Sequence, residues 1–355
     1  MQSASRTRRI WPKLAKVGLF VLSVYTFILA IMLMKEGALT LVPLLEGRFV
    51  IEHVWQALGY GWFGAYLLMS GSPVAAAALV FLDAGAIDQL STYMMVTGSR
   101  LGAGFFVFFL GFLYVLRGRD RANSLGMGLL SLSVTGSTYL VGAVIGLALL
   151  RLPFLQGIHL PKDDGIGGAF EQLFAPFLST LTTYLPTWTL FPIGLIGIMI
   201  SFTLFDHCLP QMTLRESHVG QLSRLVYQPW VMFILGAVIT LISMSVSVTL
   251  GLLLPLSDRG FIRRENVIPY IMGANVTTFI DTLLVAVLLG NSEAISVILA
   301  SMLSIFIVSA LLLITIFRTY ERTVLTFVGW TTATTGHLSL ITGAILLVPI
   351  LLILL

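Results

Sequence analysis

An apolar segment interrupted by polar residues occurs twice in this chain, and that duplication constrains the fold more than any other feature. Shifting residues 55–98 forward by 175 positions, without a gap, brings ten identical pairs into register. They include Trp55/Trp230, Gly61/Gly236, Ser70/Ser245, Ser72/Ser247, Asp83/Asp258 and Gly98/Gly273. An apolar composition yields chance matches among Leu, Val and Ile, but these pairs are mostly Gly, Ser, Asp and Trp. Each copy sets a Ser-x-Ser pair inside an apolar run, with a glycine 26 residues beyond the second serine. Paired apolar segments broken at corresponding places point to a transporter whose site lies between two related halves.

The environment follows from composition. Of 355 residues 57% are hydrophobic and only 10% charged, against roughly 25% charged in soluble domains, so the chain is an integral membrane protein. A lone cysteine, Cys208, excludes an intramolecular disulfide framework and a cysteine zinc cluster. The net charge of +4 comes from scattered basic loops and gives no nucleic-acid patch. Five basic residues (Arg6, Arg8, Arg9, Lys13, Lys16) precede an apolar run at 17–34 with no small-x-small cleavage signal, which is expected to be a retained first helix.

Further apolar stretches fall at 54–82, 89–116, 124–150, 187–206, 229–256, 266–290, 293–317 and 338–355. About 20 residues cross a hydrocarbon core, and 54–82 and 229–256 are well over that length. Both are interrupted at the Ser-x-Ser pair. In the first, Gly71-Ser72-Pro73 supplies a breaker, a capping hydroxyl and a proline suited to a new helix start. Each is expected to form two half-helices that enter and leave on one side. The predicted fold is all-α: two inverted repeats, each with a re-entrant broken hairpin, giving about seven full spans plus two hairpins. The boundaries expected are a cytoplasmic basic N-terminus at 1–16, repeat 1 at 17–151, an extracytoplasmic linker at 152–186, repeat 2 at 187–317, and a cytoplasmic loop with a C-terminal helix at 318–355.

Loop charge discriminates between hairpins and full crossings. With hairpins, 15 Lys and Arg lie on the cytoplasmic side, four lie outside, and Arg100 is left within the membrane. Full crossings would give 12 inside and seven outside. The excess of cytoplasmic positive charge favours hairpins, with the N-terminus in the cytoplasm of a multi-pass cell-membrane protein.

The second copy reads Ser243-Met-Ser245-Val-Ser247-Val-Thr249, followed by Gly273-Ala274-Asn275-Val-Thr277-Thr278. Over roughly 54–110 and 229–317 the chain resembles the sodium–phosphate cotransporter family. That family carries a Gln-Ser-Ser-Ser stretch, then Gly-Ala-Asn-Ile-Gly-Thr-Thr some 25–30 residues on, in two inverted halves. The chain departs from this pattern. No Gln precedes the serines, the Gly before Thr-Thr is missing, and Gly98-Ser99-Arg100 replaces Gly-Ala-Asn in the first copy. The resemblance implies a transporter fold, with phosphate as substrate and sodium as coupling ion.

The residues themselves fit anion and cation binding. Half-helix N-termini expose unpaired N–H groups and favour an anion. The substrate set is therefore Ser70, Ser72, Arg100, Ser245, Ser247, Thr249 and Asn275. Backbone expected to unwind near Gly98 and Gly273 would free carbonyls for sodium, with Ser243, Asn275, Thr277, Thr278 and Asp281 completing the ion set. A single Ser or Thr in a membrane helix more often bonds its own backbone or lines a packing seam; the duplicated pair carries the functional reading.

Arg100 lies mid-span, where a charge costs at least ~2.5 kcal/mol and requires a partner or water. It either binds an oxyanion bidentately or pairs with Asp281, the one acid well inside 266–290. Asp281 is alternatively the carrier of a coupling proton or sodium. Gly142-x-x-x-Gly146 is expected to mark close helix packing. No phosphate-binding glycine loop, His-Glu-x-x-His or Gly-x-Ser-x-Gly occurs, so ATP-driven transport and common hydrolase chemistry have no motif support. Apart from sodium, no cofactor or metal is expected; the partners are a small anion and the bilayer, with a homodimer left open. A second hypothesis is a non-transporting scaffold or lipid-handling protein, in which Arg100 merely neutralises Asp281.

Overall fold

A computed structural model describes residues 2–45, 51–116, 121–157, 166–208, 228–244, 249 and 264–355. Among them secondary structure is helical, with no strand. The helices are α1 (Gln2–Leu45), α2 (Val54–Leu68), α3 (Ser72–Asp83), α4 (Gln89–Leu116), α5 (Arg121–Leu149), the short α6 (Pro153–Gln156) and α7 (Ile166–Tyr184). After a 3-10 turn at Thr187–Thr189 come α8 (Leu190–Cys208), α9 (Pro229–Ser243), α10 (Arg264–Thr277), α11 (Ile280–Leu289), α12 (Ser292–Leu311), α13 (Phe317–Ala333) and α14 (Thr335–Leu354). Among the described residues seven helical stretches are long and apolar enough to cross a membrane.

The first long segment breaks where its sequence demands. Met69 closes α2 in the left-handed region, φ 50°, and the Ser70 N–H reaches back to the Ala65 carbonyl at 3.2 Å. Gly71 and Pro73 then open α3. The second segment ends its first arm identically, with Met244 at φ 51°. Its second arm, and with it Ser245 and Ser247, lies outside the described residues.

The duplication reappears in helix packing. A Cβ on Gly61 would overlap the Met95 carbonyl oxygen, and one on Gly98 would overlap that of Leu58. In the other copy Gly236 meets the Tyr270 carbonyl oxygen and Gly273 that of Phe233. Every residue in these contacts maps onto its counterpart by the same 175-residue shift. Only glycine lets two helix backbones approach so closely.

Contact order along the helices gives their directions. Leu58 opposes Gly98 and Trp62 opposes Gly102, so α2 and α4 run parallel; α9 and α10 do the same. Because Ser72 lies beside Arg100 and residues 84–88 join α3 directly to α4, α3 runs antiparallel to both α2 and α4. The α2–α3 turn abuts the middle of α4: a Cβ on Gly71 would sit 2.5 Å from the Ser99 carbonyl oxygen. Helices α1 and α8, equivalent under the shift, lie antiparallel, with Ser201 Oγ donating to the Ser23 carbonyl at 2.7 Å and the Phe20 and Phe205 rings in tilted contact at 5.9 Å.

The structure corrects or adds detail to four expectations. First, α4 passes Gly98 as unbroken helix, and Gly273 lies inside α10. Their glycines serve close packing, and backbone does not unwind there. Second, the second copy breaks at Thr278–Phe279, between α10 and α11. Third, the linker 152–186 holds the 19-residue α7, whose Phe170, Phe174 and Leu178, spaced by four, pack on the core. Fourth, 318–333 is not a loop. A π-turn at Leu312–Ile316 carries α12 into α13, which buries Val324, Val328 and Thr331 on one face and leaves Arg318 and Arg322 exposed.

The expected seam at Gly142 and Gly146 is present: Tyr93 of α4 fills it, and its hydroxyl donates to the Gly142 carbonyl at 2.9 Å. An ionic clasp joins several elements at one end. Lys35 of α1 lies 3.5 Å from Asp83 at the end of α3 and 2.5 Å from Glu171 of α7. Asn291, which caps α12, donates to Asp83 at 3.0 Å.

Candidate functional site

Arg100 is the centre of the site. It projects from the middle of α4 toward two interrupted helices and is 4% exposed. Nη1 donates to Ser72 Oγ, at the start of α3, at 3.1 Å, and to Thr278 Oγ1, at the break after α10, at 3.4 Å. Nη2 donates to Asp281 Oδ1 at 3.1 Å and to Thr282 Oγ1, both in the first turn of α11. The Phe279 ring lies 4.9 Å from the guanidinium carbon, a cation–π distance.

Local geometry explains why this pair survives in an apolar interior. Asp281 is 1% exposed and sits where the positive end of the α11 dipole favours an anion. Its Oδ1 also accepts from the Thr282 backbone N–H at 2.6 Å and the Thr282 hydroxyl at 2.8 Å. Asp281 Oδ2 and Arg100 Nε have no hydrogen-bond partner among the described residues. The pair is thus engaged through one carboxylate oxygen and leaves one acceptor and one donor unspent.

Behind Phe279 the polar chain continues into α5. Tyr139 lies 6.0 Å ring to ring from Phe279 and donates to the Asn275 carbonyl at 2.9 Å, while Asn275 Nδ2 donates to Thr135 Oγ1 at 3.2 Å. A second polar knot lies at the end of α9, where Ser243 and Thr249 hydroxyls are 2.9 Å apart and Tyr270 donates to the Thr249 carbonyl at 3.3 Å.

Of the residues expected from sequence, Ser72, Arg100, Thr278 and Asp281 therefore meet directly. Asn275 stands behind Phe279, and Ser243 with Thr249 form the separate knot. Thr277 bridges helices by donating to the Ala237 carbonyl at 2.9 Å. Gly273 packs against α9, and Ser70 lends its backbone to the α2 cap. Sequence reasoning passed over Thr282, Phe279, Tyr139 and Thr135. A row of hydroxyls in α5 (Ser131, Ser133, Thr135, Ser137, Thr138) was the available signal.

The charged centre does not open into the cleft beside it. That cleft, about 800 Å³, lies between α2 and α3 and is walled by Tyr60, Leu67, Val74, Phe81 and Met95, with Asp88 and Ser91 at its polar end. Arg100 and Asp281 do not line it. Against known proteins, no family model, no curated protein and no solved structure matches the chain.

Proposed function

We propose that the chain is a secondary transporter of a small oxyanion, phosphate foremost, built from two inverted repeats that each carry a re-entrant hairpin. One observation carries this reading: two interrupted helices converge on a buried arginine in the middle of a membrane-length helix. Discontinuous helices at a charged midplane site are how transporters expose helix ends to an ionic cargo, and a buried intramembrane charge is a functional site by default. The antiparallel packing of α1 against its repeat equivalent α8 supports inversion. The antiparallel α2–α3 pair, with its turn beside the middle of α4, supports a hairpin that stops halfway. Both features accord with the resemblance to sodium–phosphate cotransporters.

In this mechanism the donors facing the cargo are the hydroxyls of Ser70 and Ser72, the free N–H groups at the start of α3, and the positive charge of Arg100. The second repeat adds Ser245 and Ser247, while Thr249 and Asn275 stand apart from this set. Sodium is the coupling ion, and rocking of one repeat against the other exposes the site alternately to each side. The Arg100–Asp281 pair belongs to the anion-free state, in which the carboxylate stands in for the cargo.

Phosphate uptake into proteoliposomes, with and without an inward sodium gradient, tests the proposal. Gradient-driven uptake that Arg100→Ala abolishes is expected. Uptake equal to that of protein-free vesicles would sink it. A second reading, a non-transporting scaffold or lipid-handling protein, draws on the closed Arg100–Asp281 pair and the apolar cleft beside α3. It predicts no uptake, and acyl-chain lipid retained through purification and lost when Val74→Trp fills the cleft.

A further inference from the structure

The surroundings of the Arg100 guanidinium are those of a small metal cation. Oxygen atoms from four side chains face it: Ser72 Oγ, Thr278 Oγ1, Thr282 Oγ1 and Asp281 Oδ1. Three neutral hydroxyls and one carboxylate form an oxygen-only donor set carrying a single negative charge, which matches a hard monovalent cation. An arginine paired for recognition normally grips both carboxylate oxygens in a fork. Here one nitrogen touches one oxygen of Asp281, and the other contacts go to hydroxyls. The guanidinium is held as a point charge inside a cage, with the Phe279 face across from it.

The repeat adds an independent observation. Under the 175-residue shift Arg100 corresponds to Asn275, and Ser72 to Ser247. Thr278, Asp281 and Thr282, however, correspond to Ala103, Phe106 and Val107. The arginine of the first half and the acid with two hydroxyls of the second thus make one pairing, and the equivalent pairing, Asn275 with Ala103, Phe106 and Val107, has neither the cation nor the acid. A neutral Asn stands where no such cage is built.

We infer that Arg100 is a tethered cation: its guanidinium fills a monovalent-cation site made by Ser72, Thr278, Asp281 and Thr282, and so excludes dissolved sodium from that site. The inference rests on the transporter reading only for its bearing on coupling. Thr278 and Asp281 leave the set of sodium ligands expected from sequence.

Thermal unfolding of the purified full-length protein, in sodium chloride against choline chloride at matched ionic strength, tests this without any transport. Removing the side chain by Arg100→Ala leaves a buried carboxylate that needs a new counter-ion. The variant should gain a saturable, sodium-specific rise in melting temperature. Any sodium response of the wild type, from a coupling site elsewhere, should be smaller, and Arg100→Ala combined with Asp281→Asn should fall back to it. An Arg100→Ala protein that melts identically in both salts overturns the inference. Should that variant not fold, wild type and Thr282→Val decide. A wild type indifferent to sodium, or a sodium response that Thr282→Val leaves intact, supports the tethered cation. A wild-type response abolished by Thr282→Val refutes it. Because the readout is melting, failure here is distinguishable from failed uptake.

Discussion

Arg100 and Asp281 were legible in the sequence because each is a lone charge inside an otherwise apolar span. Their mutual bond was one of two outcomes, and helix rotation decided it. Thr282, Phe279 and Tyr139 were not legible. A Thr or an aromatic residue in a membrane helix has no distinguishing spacing, and its role depends on which helix lies opposite. Removing one partner of a buried pair leaves the other charge uncompensated, so Asp281→Ala should destabilise by ~3–5 kcal/mol. Thr282→Val, which removes a neutral partner shared by both charges, should cost about 1–3 kcal/mol. Thermal unfolding in detergent ranks the two, and the reverse order would show that Asp281 is not charged in the folded protein.

Among the helices, the break at Gly71-Ser72-Pro73 was readable because three residues there each oppose helix continuation. The break at Thr278–Phe279 was misplaced to Gly273 because a glycine in a membrane helix serves equally as a breaker or as a contact surface. Packing resolves that ambiguity. Gly98→Ala and Gly273→Ala each drive a methyl into a carbonyl oxygen of the partner helix and should destabilise by at least ~1–3 kcal/mol. Gly136→Ala, with open space at its Cβ, should be neutral or stabilising in the same melt. The αL residue that ends α2 gives a second test: Met69→Val, β-branched at positive φ, should cost more than Met69→Gly. Equal melting temperatures would mean that the turn relaxes.

At the scale of the whole molecule, the 175-residue repeat was visible from ten identities, and the reciprocal glycine contacts show why Gly61/Gly236 and Gly98/Gly273 are among them. The fate of 318–333 was hidden because a charged, amphipathic helix and a charged loop look alike without knowledge of the neighbouring surface. Inversion has a direct test in a Cys208→Ser background. Single cysteines introduced at Ala86 and Ser257, just beyond the two long segments proposed as hairpins, should label from opposite sides of sealed vesicles. Labelling from one side would leave the repeats parallel and remove alternating access.

The clasp of Lys35 with Asp83 and Glu171 has its own consequence. Any movement that carries α3 away from α1 and α12 must separate these charges from one another and Asp83 from Asn291. All three charged groups are within reach of water, at 28%, 15% and 49% side-chain exposure, so dissolved ions weaken their hold. Under the proposed transport reading, turnover should therefore quicken as electrolyte concentration rises, and Lys35→Gln should make the protein run at its high-salt pace even in dilute buffer.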